Sequence, residues 1–324
     1  MYRIWCERSV PAEFRSLLDG VEVIEPGEAP FSVHLDNVAS ADAVIATARV
    51  RYDGSFMDLA PHLRVISRTG IGLDNFVIAD ATARGIAVCY APDAPTISTA
   101  EHTIALLMAV ARDLKRIERL AREGGPIDFH TAYQGRELNG LRLGLVGLGR
   151  IGGRVATMAR GIGMEVTAFD PLVAPERARE LGVALSPTLD DLLAQSDIVS
   201  LHLPLTDETR HLIDAQRLAR MKQGAILINA ARGGLVDEAA LLDALDRGHL
   251  FGAGLDVFEQ EPPRPDHPLL HRDNVVATPH IASGTAAGKE RLWTTAINQA
   301  LQVLRGERPP HLVNPEVWPA PIRR

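Results

Sequence analysis

The stretch Leu141-Arg142-Leu143-Gly144-Leu145-Val146-Gly147-Leu148-Gly149-Arg150-Ile151-Gly152 decides the fold. Its first half is a short apolar run, the pattern of a strand covered on both faces. Its second half is Gly-x-Gly-x-x-Gly, placed where that strand hands over to a helix predicted over 151–161. There the first glycine permits a tight turn, the second lets a pyrophosphate approach the backbone, and the third lets helix and strand pack closely. The helix start offers unpaired N–H groups and a positive dipole end to an anion. The next predicted strand, 166–169, runs into Asp170, 18 residues after Gly152, close to the ~20 at which an acid meets the ribose hydroxyls of a dinucleotide. A carboxylate there repels a 2'-phosphate, so NAD (NADH) is the expected cofactor.

Outward from this segment the pattern alternates. Strands are predicted over 141–146, 166–169, 198–201, 225–228, 252–255 and 275–277, with helices over 189–195, 214–220 and 238–247 between them. That alternation predicts a doubly wound parallel sheet. A looser alternation, with strands over 21–24, 43–46, 65–67 and 87–89, marks a second, smaller unit. Residues 98–123 read as one long connecting helix, with Ser98 and Thr99 as caps and Glu101-His102 in its first turn. A helix over 286–305 ends at Gly306, and Leu312-Val313-Asn314-Pro315 then returns to the first unit. The expected fold is therefore α/β with two Rossmann-like doubly wound domains. The nucleotide-binding one (98–285) is inserted into a smaller flavodoxin-like substrate domain (1–97 plus 286–324).

Composition narrows the classes. The chain has 324 residues, 46% hydrophobic and 23% charged, which suits two folded domains and excludes a disordered protein. The apolar run over 103–111 is far short of the roughly 20 residues a membrane helix needs. Met1-Tyr2-Arg3-Ile4-Trp5-Cys6-Glu7 lacks the apolar core of a signal peptide. A cytoplasmic protein without a membrane partner is expected. The net charge of -7 argues against a nucleic-acid partner. Cys6 and Cys89 have no CxxC spacing and read as small hydrophobes in a reduced compartment, and no metal site is expected.

Open α/β sheets bind ligands at the carboxyl ends of their strands. The titratable groups predicted there are Arg232, then Asp256, Glu259 and Glu261, then His280. Hydride exchange between nicotinamide and a carbonyl needs a cation for a carboxylate, a proton donor, and a group that tunes the donor. Arg232 offers a bidentate fork, His280 titrates near neutrality, and a buried Glu261 beside it would hold one tautomer and favour the imidazolium.

Taken in order, GLGRIG (147–152), FDP (169–171), HLPLTDETR (202–210), NAARGGLVDE (229–238), GLDVFEQEP (254–262) and TPHIAS (278–283) resemble the D-isomer-specific 2-hydroxyacid dehydrogenases, including their D-3-phosphoglycerate dehydrogenase-like members. The resemblance runs from Leu63 to Pro315. It implies that Arg232 binds the substrate carboxylate and carbonyl, that His280 is the acid/base, and that Glu261 is its partner. It also implies cofactor contacts from Gly147, Gly149, Arg150, Ile151, Gly152, Asp170, His202, Leu203, Pro204, Thr209, Ala230, Ala231, Arg232, Asp256, His280 and Ser283. Residues 68–75 look like the family's substrate loop, where the amides of Ile71 and Gly72 hold the carboxylate and Arg68 lies close by.

There are departures from the pattern. Thr47 stands where phosphoglycerate dehydrogenases carry an arginine, with Arg49 and Arg51 two and four residues on. Either could reach a distal anion, so the substrate is a small D-2-hydroxy or 2-oxo acid whose distal group stays open between alkyl, phosphate and phosphonate. Trp293 and Trp318 are candidates to line its pocket. The family's added C-terminal regulatory domain is not expected here. Phosphite-type oxidation is disfavoured by the absence of a lysine from 68–70, and an NAD-sensing, corepressor-like binding protein is the non-catalytic alternative. The apolar side chains over 98–123 and the habit of the family lead to a homodimer.

Overall fold

The computed structural model describes residues 1–26, 35, 37–124, 128, 130 and 133–319. Residues 320–324, the end of the expected discontinuous domain, lie outside these. The chain divides into two compact units, Met1–Pro95 with Thr285–Arg324, and Thr96–Gly284.

In the first unit, strands β1 (Arg3–Cys6), β2 (Glu22–Ile24), β3 (Ala43–Ala46), β4 (Val65–Arg68) and β5 (Ala87–Cys89) form a parallel sheet in the order β2-β1-β3-β4-β5. Successive side chains of a strand face opposite ways. Ile4, Cys6, Ala43, Ile45, Val65, Ala87 and Cys89 therefore enter one core, while Trp5, Val44, Ala46, Ile66 and Val88 enter another. The first core is closed by the Ala286–Arg305 helix through Trp293, Ile297, Leu301 and Leu304, each worth roughly 1.5–3 kcal/mol when buried. Trp293 is thus a core residue, stacked on Phe14 with ring centroids 6.2 Å apart, and Trp318 packs against the same core. Burial in this core takes Trp293 away from the expected pocket role, while Trp318 is only partly buried. Burial pushes Cys6 and Cys89 up to about 12, so they pack as hydrophobes.

The returning C-terminal segment is pinned by Asn314, which is fully buried. Its Oδ1 accepts from Val88 N at 2.8 Å, and its Nδ2 donates to Ile86 O at 2.9 Å and Thr82 Oγ1 at 3.2 Å. Leu312 adds an antiparallel bridge to Cys89.

In the second unit, strands β6 (Arg142–Val146), β7 (Glu165–Phe169), β8 (Ala184–Leu185), β9 (Ile198–Leu201), β10 (Ala225–Asn229), β11 (Leu250–Leu255) and β12 (Val275–Ala277) form a parallel sheet in the order β12-β11-β10-β9-β6-β7-β8. The winding reverses between β6 and β9, which opens a crevice at their carboxyl ends. Ile226 and Ile228 face one core, and Ala225 and Leu227 the other. Six of these strands match the expected ones to within two residues; β8 was not expected, being a two-residue exposed edge. The expected single helix over 98–123 is two, Thr96–Ala111 and Leu114–Glu123. The break is at Asp113, in the left-handed region at φ 52°, and the Ala111 carbonyl there accepts from Arg136 N at 2.7 Å. Ser98 and Thr99 are accordingly inside the first helix and buried rather than capping it. Among the described residues no helix is long and apolar enough to cross a membrane.

Replacing Asn314 with alanine leaves Val88 N and Ile86 O buried without their partner, and is expected to destabilise the first unit by about 2–4 kcal/mol. A urea titration reads this as a lower midpoint. A wild-type midpoint would contradict the pinning of the C-terminal segment by this side chain.

Candidate functional site

The glycine loop leaves β6 at the point where the sheet's winding reverses. Gly147 has φ +97°, and a Cβ there would lie 2.4 Å from His202 O, so the turn and the close approach to the loop after β9 both require glycine. At Gly152 a Cβ would meet Gly147 O at 2.2 Å. Gly149 differs: a Cβ there would meet no protein atom within 4 Å. It precedes the Arg150–Gly161 helix as N-cap, so no side chain at that position caps the helix's first N–H groups. This cradle, an anion-seeking helix end beside a residue kept bare, fits a dinucleotide pyrophosphate.

Asp170, just beyond β7, accepts from Leu148 N at 2.8 Å and Leu172 N at 2.9 Å. It therefore steadies the glycine loop from the position predicted to meet the ribose. Across the crevice, His202, Leu203, Pro204 and Thr209 follow β9. Thr209 Oγ1 donates to Pro204 O at 2.9 Å, which closes that loop. Desolvation pushes His202 down to about 4, and its Nε2 lies 2.9 Å from Ser200 Oγ.

The predicted catalytic groups leave three neighbouring strands. Arg232 follows β10 in a turn set by the buried Asn229, whose Oδ1 accepts from Ala231 N at 3.1 Å and whose Nδ2 donates to Arg232 O at 2.8 Å. The Arg232 guanidinium donates to Ala231 O at 2.7 Å. Glu261 follows β11 and His280 follows β12, and the structure brings them together, with His280 Nδ1 2.6 Å from Glu261 Oε2. Glu261 Oε1 accepts from Phe258 N at 3.1 Å. Glu261 was expected to be buried, yet its side chain is 36% exposed and that of His280 44%.

Asp256 has no exposed surface. Its carboxylate accepts from Thr278 Oγ1 at 2.6 Å, Ile281 N at 2.9 Å and Ala282 N at 2.9 Å. Burial alone would raise this carboxyl; nearby His102 and the bonds from Thr278 and the two amides outweigh burial and hold it below the usual carboxylate range. His280 N donates to Asp256 O at 2.7 Å, and His280 itself is left-handed at φ 54°. Asp256 was predicted as a cofactor contact; here it clamps the His280–Ser283 turn. Thr278 has one hydroxyl proton, which goes to Asp256, so the Nε2–H of His102 donates to Thr278 Oγ1 at 2.9 Å. His102 and Asn229 were missed as site residues. A polar residue closing the apolar strand 225–228 was the available signal for Asn229.

In the first unit, the Arg68–Asn75 loop follows β4. Arg68 Nε donates to Gly72 O at 3.1 Å, and Gly70 O accepts from Ala91 N at 2.9 Å, so Ile71 and Gly72 lie in a turn tied at both ends. The Thr47–Arg51 loop follows β3 and is held by Glu7, a buried carboxylate. It accepts from Thr47 N, from Arg49 N at 2.6 Å, from Val50 N at 3.0 Å and from Tyr52 Oη at 2.7 Å. Arg51 lies 3.3 Å from Asp53 and is exposed. Glu7 was not singled out in the sequence, since nothing local distinguishes it.

Comparison with known proteins follows the same lines. Residues 104–282 match the model of the D-isomer specific 2-hydroxyacid dehydrogenase, NAD binding domain. A glyoxylate reductase of Korarchaeum cryptofilum is 41% identical over 321 residues, covering 97% of this chain and 96% of that protein. A D-3-phosphoglycerate dehydrogenase of Mycobacterium tuberculosis is 42% identical over 312 residues, 95% of this chain, which spans only 58% of that relative's length. The D-lactate dehydrogenase of Aquifex aeolicus, solved with NAD and lactic acid, superposes with a TM-score of 0.83 at 31% identity, covering 96% of this chain and 98% of that one.

The bare space at Gly149 yields a test. Gly149→Ala should cost no more than about 1 kcal/mol of stability, the scale of a changed cap. It should weaken dinucleotide binding on the order of tenfold, the scale of one lost charge-assisted contact. A fluorescence titration with NADH measures the second effect, and wild-type affinity would contradict the cradle.

Proposed function

The chain belongs to the D-isomer specific 2-hydroxyacid dehydrogenase family and is an NAD-dependent oxidoreductase of small D-2-hydroxy and 2-oxo acids, and from that premise we propose which of its residues do the work. The observation that carries the assignment is the 2.6 Å contact between His280 Nδ1 and Glu261 Oε2 at the ends of neighbouring strands. With Nδ1 held by a carboxylate, Nε2 is the nitrogen that exchanges a proton with substrate. In the reductive direction Arg232 holds the substrate carboxylate and polarises its C2 carbonyl, and protonated His280 gives its Nε2 proton to the carbonyl oxygen. Bound NADH supplies the hydride that reduces C2. Glu261 stabilises the imidazolium before transfer, and the products are a 2-hydroxy acid and NAD. The Gly149 cradle, Arg150 and Ile151, Asp170, the loop 202–209, Ala230, Ala231 and Ser283 are proposed to hold the cofactor.

The order β2-β1-β3-β4-β5 supports reading the smaller unit as a flavodoxin-like substrate domain, with Ile71, Gly72, Arg49 and Arg68 as its contacts to the acid. Thr47 and the Glu7 carboxylate beneath the same loop favour a small uncharged distal group over a phosphate. The acid/base pair favours catalysis over a purely sensing role. The exposed Ile97, Met108 and Leu114 support pairing of two copies along these helices. Sedimentation at micromolar concentration is expected to give a dimer, and a monomer would contradict that.

His280→Ala should lower turnover with 2-oxo acids by about 10²–10⁴, the range of acid/base catalysis, and leave NADH affinity unchanged. Steady-state NADH oxidation beside a binding titration measures both. Full turnover in the variant would remove His280 from the mechanism.

A further inference from the structure

Glu238 and Glu259 make a reciprocal contact that the chemistry above does not use. Glu259 N donates to Glu238 Oε1 at 2.7 Å, and Glu238 N donates to Glu259 Oε1 at 3.1 Å. Each residue's carboxylate thus holds the other's backbone. Glu238 opens the Glu238–Asp246 helix, so Glu259 satisfies one of that helix's orphan N–H groups from another loop, where the helix dipole also favours negative charge. Two carboxylates this close repel, and a histidine stands at each remaining oxygen. His267 Nε2 is 3.1 Å from Glu238 Oε2, and His211 Nε2 is 3.3 Å from Glu259 Oε2. His267 also packs edge-on to Phe258, with centroids 5.5 Å apart.

What the contact joins gives it meaning. Glu238 ends the segment that begins at Arg232, and Glu259 sits in the loop between Asp256 and Glu261. A third contact between the same two segments is steric: a Cβ at Gly233 would lie 1.9 Å from Phe258 C and 2.4 Å from Glu259 N. The Phe258–Glu259 peptide is therefore packed closely on Gly233 and bonded by Glu238. The N–H of Phe258 is the one that holds Glu261 Oε1, whose other oxygen meets His280.

We propose that Glu238 and Glu259 are positioning residues of the dehydrogenase reaction: their reciprocal carboxylate-amide brace locks the Arg232 segment to the Glu261 loop and so keeps Glu261 against His280. The proposal rests on the roles given above to Arg232, Glu261 and His280. Neither glutamate touches substrate or cofactor in it, and both act through the Phe258–Glu259 peptide.

The test is the pH dependence of kcat/KM for NADH-driven reduction of the 2-oxo acid the wild type uses best. The reaction needs a protonated imidazole, so the rate falls as pH rises, and losing a neighbouring carboxylate moves that falling limb to lower pH. Glu261→Gln defines the direction and size of the movement. Glu238→Ala is expected to move the limb the same way and to lower kcat by about tenfold or more, the scale of one lost hydrogen bond to a charged group, with KM for NADH unchanged. Glu238→Gln keeps an oxygen for Glu259 N–H and should restore most of both. Glu259→Ala, at an exposed position, should reproduce the shift even if Glu238→Ala proves too unstable to purify. A wild-type pH profile in both alanine variants overturns the brace, even where kcat has fallen. A wild type inert toward every 2-oxo acid would instead overturn the assigned reaction, and the brace with it.

Discussion

The buried carboxylate of Asp256 is the contact on which the end of the second unit that carries His280 and Glu261 depends. Placing a charge where no water reaches costs several kcal/mol unless it is well bonded. Here the Thr278 hydroxyl and the amides of Ile281 and Ala282 bond it, and His102 Nε2 stands 3.4 Å away. Bonds to a charged group are each worth roughly 1.5–3 kcal/mol, whereas holding one non-glycine residue left-handed costs of order 1–3 kcal/mol. The balance lets His280 stay at φ 54°. That backbone carries the ring that meets Glu261, so the clamp sets the geometry of the His280–Glu261 pair.

Two other polar residues extend the same logic to neighbouring strands. Asn229 ends β10 and folds the chain back so that Arg232 leaves the sheet in a defined turn. Asp170 ends β7 and takes Leu148 N, which shapes the glycine loop. Asn229 and Asp170 both spend their hydrogen-bonding capacity on backbone at the carboxyl end of a strand. The apolar sheet sets where these ends lie, and the terminal polar side chains set which way the following residues point.

How much of this was legible in sequence follows from how local each signal is. The glycine loop and Asp170 are separated by one strand and one helix, and their spacing alone pointed to them. Arg232, Glu261 and His280 were readable because each follows an apolar run by a few residues. His102 was not, since its partner Thr278 is 176 residues away and a histidine in an apolar helix carries no mark of it. The break at Asp113 was hidden for the same reason, its helix being cut short by a bond from Arg136. Glu259 was read among the acids at the strand ends and Glu238 lay inside a quoted motif, yet neither pointed to the other, because a carboxylate that caps a distant backbone is spelled like any other. Ser98 and Thr99 misled in the opposite sense, good capping residues overridden by burial inside the helix.

The most direct measurement of the central claim is a crystal structure of Asp256→Asn. The substitution keeps the shape of the side chain but turns one acceptor into a donor facing an amide. The account predicts that His280 leaves the left-handed region and that its 2.6 Å contact with Glu261 is lost while the sheet stays unchanged. Retention of both the positive φ and the contact would contradict it.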